Sequence, residues 1–370
     1  MNVKIFACLL LAILSPLASA ASGAETYHSK KLVAVADFGR LRAVGLGVSS
    51  DNRIFTSFPN RTEDYKYSVA EVVDGKLVPY PNVTWNASAG DERKRFVNAQ
   101  ALHVDGHDNL WVLDSKPASV LVAERDSKQS AQGYFKLVKI NLKTNKVEAE
   151  YDFKTLDKRL SSLNDVNVDI EKNLAYLSDP GLKAIVVLDL STGISRSVLS
   201  NSIATQAEPG LVLSYEGQQM RDLKGAPFKS DVNGIALTKD NRYLYFKPIN
   251  KLNLYRIETR YLADTRLDGT ELASKVEDQG ETTVSHGLIA DAQNNIYLTS
   301  SLDYSIKYQA PGGGLHTLVQ DSRLIWPDSL GMGSDGYMYV TAAQYQRAPY
   351  WSGGKDATVY PYRLYKVKLP

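Results

Sequence analysis

Between Asn164 and Asp179 apolar and polar side chains alternate. Val166, Val168 and Ile170 fall at every second position, a polar turn follows, and Leu174-Ala175-Tyr176-Leu177 returns. That period predicts a β-hairpin with one buried face. A single hairpin cannot bury its own face, so a stable fold needs further copies. Five more occur. Aligned on the aromatics Phe55, Trp111, Tyr176, Tyr245, Tyr297 and Tyr339, the copies read AVGLGVSSDNRIF, AQALHVDGHDNLW, NDVNVDIEKNLAY, NGIALTKDNRYLY, HGLIADAQNNIY and DSLGMGSDGYMY. The aromatics lie between 42 and 69 residues apart, which leaves room for about four short strands per copy. The pattern predicts an all-β chain folded as a six-bladed β-propeller, with no second domain.

Further strands are predicted at Leu137–Ile140, Lys183–Leu190 and Leu252–Ile257. Lys31–Phe38 and Tyr362–Leu369 also have strand composition, and together they are expected to close the ring by sharing its last blade. Two insertions interrupt the repeats, at Glu124–Tyr134 and Ala204–Ser230. The second is long enough for a lid and equally suits a surface loop.

The N-terminus reads differently. Lys4, an apolar run from Ile5 to Leu14 and the small-residue exit Ala18-Ser19-Ala20 form the pattern of a secretory signal peptide. The predicted division is residues 1–20 signal peptide, 21–30 flexible lead-in and 31–370 propeller, with export to the periplasm or outside the cell. The one cysteine, Cys8, falls within the leader. The exported chain is therefore expected to have no disulfide, thiolate metal site or cysteine nucleophile. A net charge of +2 with scattered Lys and Arg predicts neither nucleic acid nor a membrane as partner, and a monomer is expected. Asn60, Asn82 and Asn86 stand in glycosylation sequons, which matter only in a glycosylating host. GxSxG, P-loop and HExxH motifs are absent from the sequence.

In a propeller, equivalent repeat positions form rings around the axis. The residues leading into the six first strands are Val44, Gln100, Asn164, Asn233, His286 and Asp328. Five are polar, so they are candidates for small-molecule binding, for lining a wet channel or for capping turns. Trp326 adds a stacking surface. Asn164, Asn233 and Asp328 are oxygen donors of the kind Ca²⁺ accepts, although Val44 stands where a second carboxylate would complete the set. His286 and Asp328 together are candidates for general base chemistry. A second ring follows the second strands, at Asp114, Asp179, Pro248, Ser301 and Gln344, and its aspartates are expected to fix turns.

Several of these stretches resemble the yellow/major royal jelly protein family. They are Asn164-Asp165-Val166 through Asp179, Ile185 through Gly193, Asn233-Gly234-Ile235 with Leu244 through Pro248, Leu110 through Asp114, and Trp326-Pro327-Asp328. The resemblance spans most of residues 31–345 and implies a secreted six-bladed propeller. It also implies a range of roles: binding of small amines or other ligands in the central channel, dopachrome rearrangement, or nutrition. The lack of cysteines after the leader suggests a bacterial exported homologue. More distantly, the ring resembles that of gluconolactonase and paraoxonase propellers, where asparagines and acids hold calcium. The expected function is binding of a small amine, catechol or other aromatic molecule at the channel. The alternatives are a tautomerase using His286 and Asp328, or a lactone hydrolase with a metal on Asn164, Asn233 and Asp328.

Overall fold

Each repeat folds as the inner half of a four-stranded antiparallel meander. The computed structural model describes residues 27–59, 66–115 and 135–370. The leader, the Asn60 sequon and the insertion at 124–134 lie outside these residues. Blade 1 comprises Leu46–Val48, Ile54–Ser57, Val69–Val73 and Lys76–Pro79. Blade 2 comprises Ala99–Val104, Asn109–Asp114, Lys136–Asn141 and Lys146–Tyr151, and blade 3 Val166–Asp169, Leu174–Asp179, Ala184–Asp189 and Ser195–Val198. Blade 4 is Val232–Leu237, Tyr243–Pro248, Asn253–Glu258 and Glu277–Glu281, and blade 5 Leu288–Ala290, Ile296–Ser300, Ser305–Gln309 and Leu315–Gln320. Innermost strands contact their neighbours in a closed cycle, blade 6 returning to blade 1. The chain is a six-bladed β-propeller.

Blade 6 is assembled from both ends of the chain. Pro327–Met332, Tyr337–Ala342 and Tyr362–Lys368 supply three strands, and Val33–Gly39 adds the outermost one, antiparallel to Tyr362–Lys368. Closure thus rests on backbone hydrogen bonds between residues more than 300 positions apart, such as the pair Val33 and Lys366.

The repeated aromatics explain why the blades pack. Phe55, Trp111, Tyr176, Tyr245, Tyr297 and Tyr339 are all buried. Each sits in an apolar cluster that reaches the following blade: Trp111 with Val166, Val168 and Leu177, and Tyr176 with Val232, Ile235 and Leu244. Tyr297 meets Leu330 and Val340, while Tyr339 meets Leu46 and Val48 across the closure. One large ring per interface supplies much of the apolar area that a lone hairpin lacks. Turn carboxylates hold the polar tips, as in the bond from Trp111 Nε1 to Asp105 at 2.8 Å and from the Tyr339 hydroxyl to Asp335 at 2.8 Å.

Candidate functional site

Six ring residues reach one cavity because the blades place equivalent positions around the axis. Val44, Gln100, Asn164, Asn233, His286 and Asp328 all line a cavity of about 180 Å³ at one mouth of the channel, as does Trp326. Gln100, Asn233 and Asp328 lie within their strands rather than just before them, a shift of one or two residues from the sequence reading.

A repeated device fixes this ring. On the second strand of most blades, a hydroxyl faces the residue that follows the ring position. Ser57 donates to the carbonyl of Gln100 at 3.1 Å, Thr341 donates to that of Val44 at 2.9 Å, and Ser178 donates to that of Asn233. Each bond runs from one blade to the ring residue of the next. In blade 5 the Thr299 hydroxyl accepts from the backbone N–H groups of His286 at 3.0 Å and Gly287 at 3.1 Å. Glycine follows the ring position where neighbouring backbones crowd: a Cβ on Gly287 would stand 2.1 Å from the Asp328 carbonyl oxygen, and one on Gly45 would stand 3.0 Å from that of Gln100. Only a residue without a side chain tolerates such an approach.

The second ring, Asp114, Asp179, Pro248, Ser301 and Gln344, lies outside the cavity lining, and its two aspartates fix loops. Asp114 is fully buried, pairs with Lys136 at 2.9 Å and accepts from the N–H groups of Val97 and Asn98. Lys136 in turn donates to the carbonyls of Glu92 and Arg95, so the pair shapes the approach to Gln100. Asp179 accepts from the Ser161 hydroxyl and the Ser162 N–H, shaping the approach to Asn164.

His286 has the most distinctive surroundings. Its ring stacks on Trp326 with centroids 3.8 Å apart and planes inclined by 23°. Both imidazole nitrogens are buried without a hydrogen-bond partner, so no bond joins His286 to Asp328. Burial, then the nearby Lys247 ammonium, depresses its pKa to about 3. The ring is neutral at physiological pH, one nitrogen bearing a proton and the other a hydrogen-bond acceptor.

Above the ring lies a roof. Phe228, Lys229 and Ser230, from the insertion at 204–230, line the cavity beside Tyr345 and Trp351. Phe228, Trp326, Tyr345 and Trp351 make mutual ring contacts with centroids 5.2 to 6.4 Å apart. An ion pair between Arg347 and Glu216 ties the two roof segments together. Trp326 has φ of 52° and Gln344 of 48°, left-handed values that large side chains seldom adopt. Backbone bonds from Ala343 N–H to the Trp326 carbonyl and from Gln344 N–H to that of Ile325 hold both in place.

Sequence reasoning missed three features. The roof segment 343–361 belongs to no repeat, and only its density of Tyr and Trp hinted at it. Asp231, which also lines the cavity, accepts from the Ala207 N–H at 2.7 Å and so pins the insertion. Asp165 lies in the channel wall just beyond Asn164. Burial pushes its pKa up to about 7 and the charge of Asp328 adds to this, against the Ile235 and Val166 N–H groups that it accepts from.

The oxygen donors do not fit a resident calcium ion. Of Asn164, Asn233 and Asp328 only the last is a carboxylate, and buried Val44 occupies another of the six ring positions. No three His, Cys, Asp or Glu side chains converge among the described residues. Calcium sites draw on several carboxylate and carbonyl oxygens, and this ring falls short of such a set.

These features define a six-bladed propeller with a roofed polar pocket at one mouth of its axis. Solved structures of similar fold include a gluconolactonase from Xanthomonas campestris, with a TM-score of 0.53, 11% identity, and coverage of 92% of this chain and 89% of that one. A luciferin-regenerating enzyme has a TM-score of 0.54 and 11% identity, covering 91% and 94%. Regucalcin from Agrobacterium tumefaciens, described as calcium-binding, gives 0.51 and 12%, covering 91% and 93%. At these identities the likeness carries the fold alone.

The profile of the family described as Major royal jelly protein matches residues 97–368, and the chain belongs to that family. Major royal jelly protein 1 of Apis mellifera is 27% identical over 195 residues, which is 50% of this chain and 41% of the relative. Major royal jelly protein 3 of the same species is 23% identical over 233 residues, 60% and 39%. The chain therefore spans about two fifths of the length of the curated relatives it matches.

Proposed function

We propose that this is an exported propeller protein that binds a small aromatic molecule, an amine or a catechol, in the roofed pocket. The observation that carries the reading is the imidazole of His286, buried with both nitrogens unpartnered at a cavity lined by Gln100, Asn164, Asn233 and Asp328. A buried polar group without a partner is destabilising, and a ligand that supplies one recovers that loss. Size agrees: about 180 Å³ suits a single ring, since an apolar cavity of about 150 Å³ holds benzene. Asp328 supplies a negative charge for an amine, and the carboxamides serve as donors and acceptors for hydroxyls. Export rests on the leader pattern of residues 1–20.

Binding is favoured over the two enzyme readings on specific grounds. A tautomerase needs a base whose pKa lies near the working pH, whereas burial has made His286 a poor proton acceptor. A metal-dependent lactone hydrolase needs a donor set richer in charge than this ring supplies.

The test is thermal-shift screening of phenols, catechols and aromatic amines, followed by calorimetry on the full chain and on His286→Ala and Asp328→Asn. A ligand that binds the native state raises the melting temperature with its concentration. Asp328→Asn should weaken amines selectively. The reading fails if no member of the panel binds, or if affinities are the same in both variants.

A further inference from the structure

We propose that the roof segment 345–358 is a lid: it lifts from the pocket on a base clasped by Gln344, and ligand reaches His286 only when it is raised. Its role in ligand entry rests on the pocket reading above, its motion on packing and hydrogen bonds. Among the described residues nine buried side-chain atoms lack a hydrogen-bond partner. Five of them belong to this segment and the floor beneath it: both imidazole nitrogens of His286, both ends of the Gln346 amide and the Trp351 indole N–H. The three side chains are only 5 to 7% exposed, so the closed roof shuts these atoms off from water as well as from protein. Polar groups buried without partners oppose the state that buries them. Aromatic packing of Phe228, Tyr345 and Trp351 over Trp326 favours that same state. Closure is therefore a balance of opposed effects, and raising the segment lets water pair all five atoms.

The segment is built to move as one piece. Backbone bonds close it on itself, from the Trp351 N–H to the Ala348 carbonyl at 2.9 Å and from the Ala357 N–H to the Arg347 carbonyl at 3.0 Å. Its ends meet at Gln344, whose amide donates to the Val359 carbonyl at 2.7 Å and accepts from the Val359 N–H at 2.9 Å. That is the outline of an Ω-loop, with a narrow base for a hinge.

The insertion 204–230 is the fixed partner. Asn250, just past the second strand of blade 4, donates to the carbonyls of Leu211 at 3.1 Å and Phe228 at 3.0 Å, and accepts from the Ser230 N–H at 2.8 Å. Lid and insertion meet at the Arg347–Glu216 ion pair, at a bond from the Tyr350 hydroxyl to Asp222 of 3.4 Å, and at a β-bridge between Arg221 and Ser352. Glu216 is well exposed, and water readily replaces an ion pair at such a site. The aromatic faces beneath carry no directional bonds to break.

The experiment measures access to His286 without a ligand. Diethyl pyrocarbonate acylates a neutral imidazole that it can reach, and peptide mass spectrometry follows His286 against the exposed His316. Arg221→Cys with Ser352→Cys places a thiol pair across the β-bridge, where facing backbones are close enough for a disulfide. In the parent and in the reduced pair His286 should react slowly but measurably, through transient opening. Oxidising the pair should slow His286 by about tenfold or more and leave His316 unchanged. Glu216→Gln, which weakens the tie to Arg347, should accelerate His286, and it carries the test alone if the cysteine pair does not fold. Equal His286 rates in the oxidised and reduced forms overturn the proposal, as does an imidazole that resists the reagent until the whole protein unfolds. Since no ligand enters, this failure stands apart from the thermal-shift screen that decides the pocket reading.

Discussion

Asp165→Asn should make the protein more stable at neutral pH. The Asp165 carboxyl in the channel wall has a pKa near 7, raised from 3.8 by burial first and with the charge of Asp328 adding. Its folded value therefore lies above its unfolded one. Between about pH 4 and 7 the native state holds a proton that the unfolded chain releases, so stability falls as pH rises through that window and the loss is complete above it. A shift of roughly three units corresponds to at most about 4 kcal/mol, at about 1.4 kcal/mol per unit. Asp165 is only partly shielded from solvent, and solvent screening brings the working figure to about 1–2 kcal/mol. Asparagine resembles the protonated acid and still offers Oδ1 to the Ile235 N–H, now 3.1 Å from Asp165. The assay is urea unfolding of parent and variant from pH 4 to 8, comparing midpoints at equal m-values. The difference should be close to zero at pH 4 and grow to about 1–2 kcal/mol in favour of the variant at pH 8. A variant no more stable at pH 8 than at pH 4, relative to its parent, would refute the reasoning.

Other outcomes follow from the same structure. His286→Ala should weaken any ligand found by screening by about 1–2 kcal/mol for the lost hydrogen bond, measured by calorimetry. Lys136→Met leaves the buried carboxylate of Asp114 without its partner and should cost about 3–5 kcal/mol by urea unfolding, with much of the loss recovered on adding Asp114→Asn. Removing the residues up to Gly39 deletes the outer strand of blade 6, so the truncated chain should melt well below the parent; equal melting temperatures would contradict closure by this strand. Calcium and EDTA should each leave the melting temperature unchanged, because the cavity offers only Asp231 and Asp328 as carboxylates and the first is engaged by the Ala207 N–H, and a stoichiometric, stabilising metal would reverse that view.

The repeat carried most of what the sequence could reveal. Hydrophobic alternation and the six aromatics gave the blade count because those positions are repeated for a packing reason, one ring per interface. The ring at the pocket was legible on the same grounds: equivalent positions in a closed fold converge whatever their side chains. Trp326 was found through its neighbour Asp328. Two residues were visible only as departures from the repeat. Asp165 stands where the other copies have Gly45, Ala101, Gly234, Gly287 and Ser329, a lone carboxylate among small residues. Lys247 stands among Ser57, Leu113, Ser178, Thr299 and Thr341. The roof was not legible, since its two segments share no period and meet only through tertiary packing of Phe228, Tyr345 and Trp351. That the histidine would be neutral and unpartnered was equally hidden, because it depends on what surrounds the ring.

The strand borrowed from the N-terminus sets a timetable for folding. Val33–Gly39 leaves the ribosome early, while its partner Tyr362–Lys368 is made last. Until those two strands pair, blade 6 lacks its outermost strand and the ring is not closed. The pocket draws one residue from each of six blades, so it does not exist until the ring shuts. Any ligand bound in that pocket would thus be bound only by closed molecules, and loss of such binding would report a ring left open.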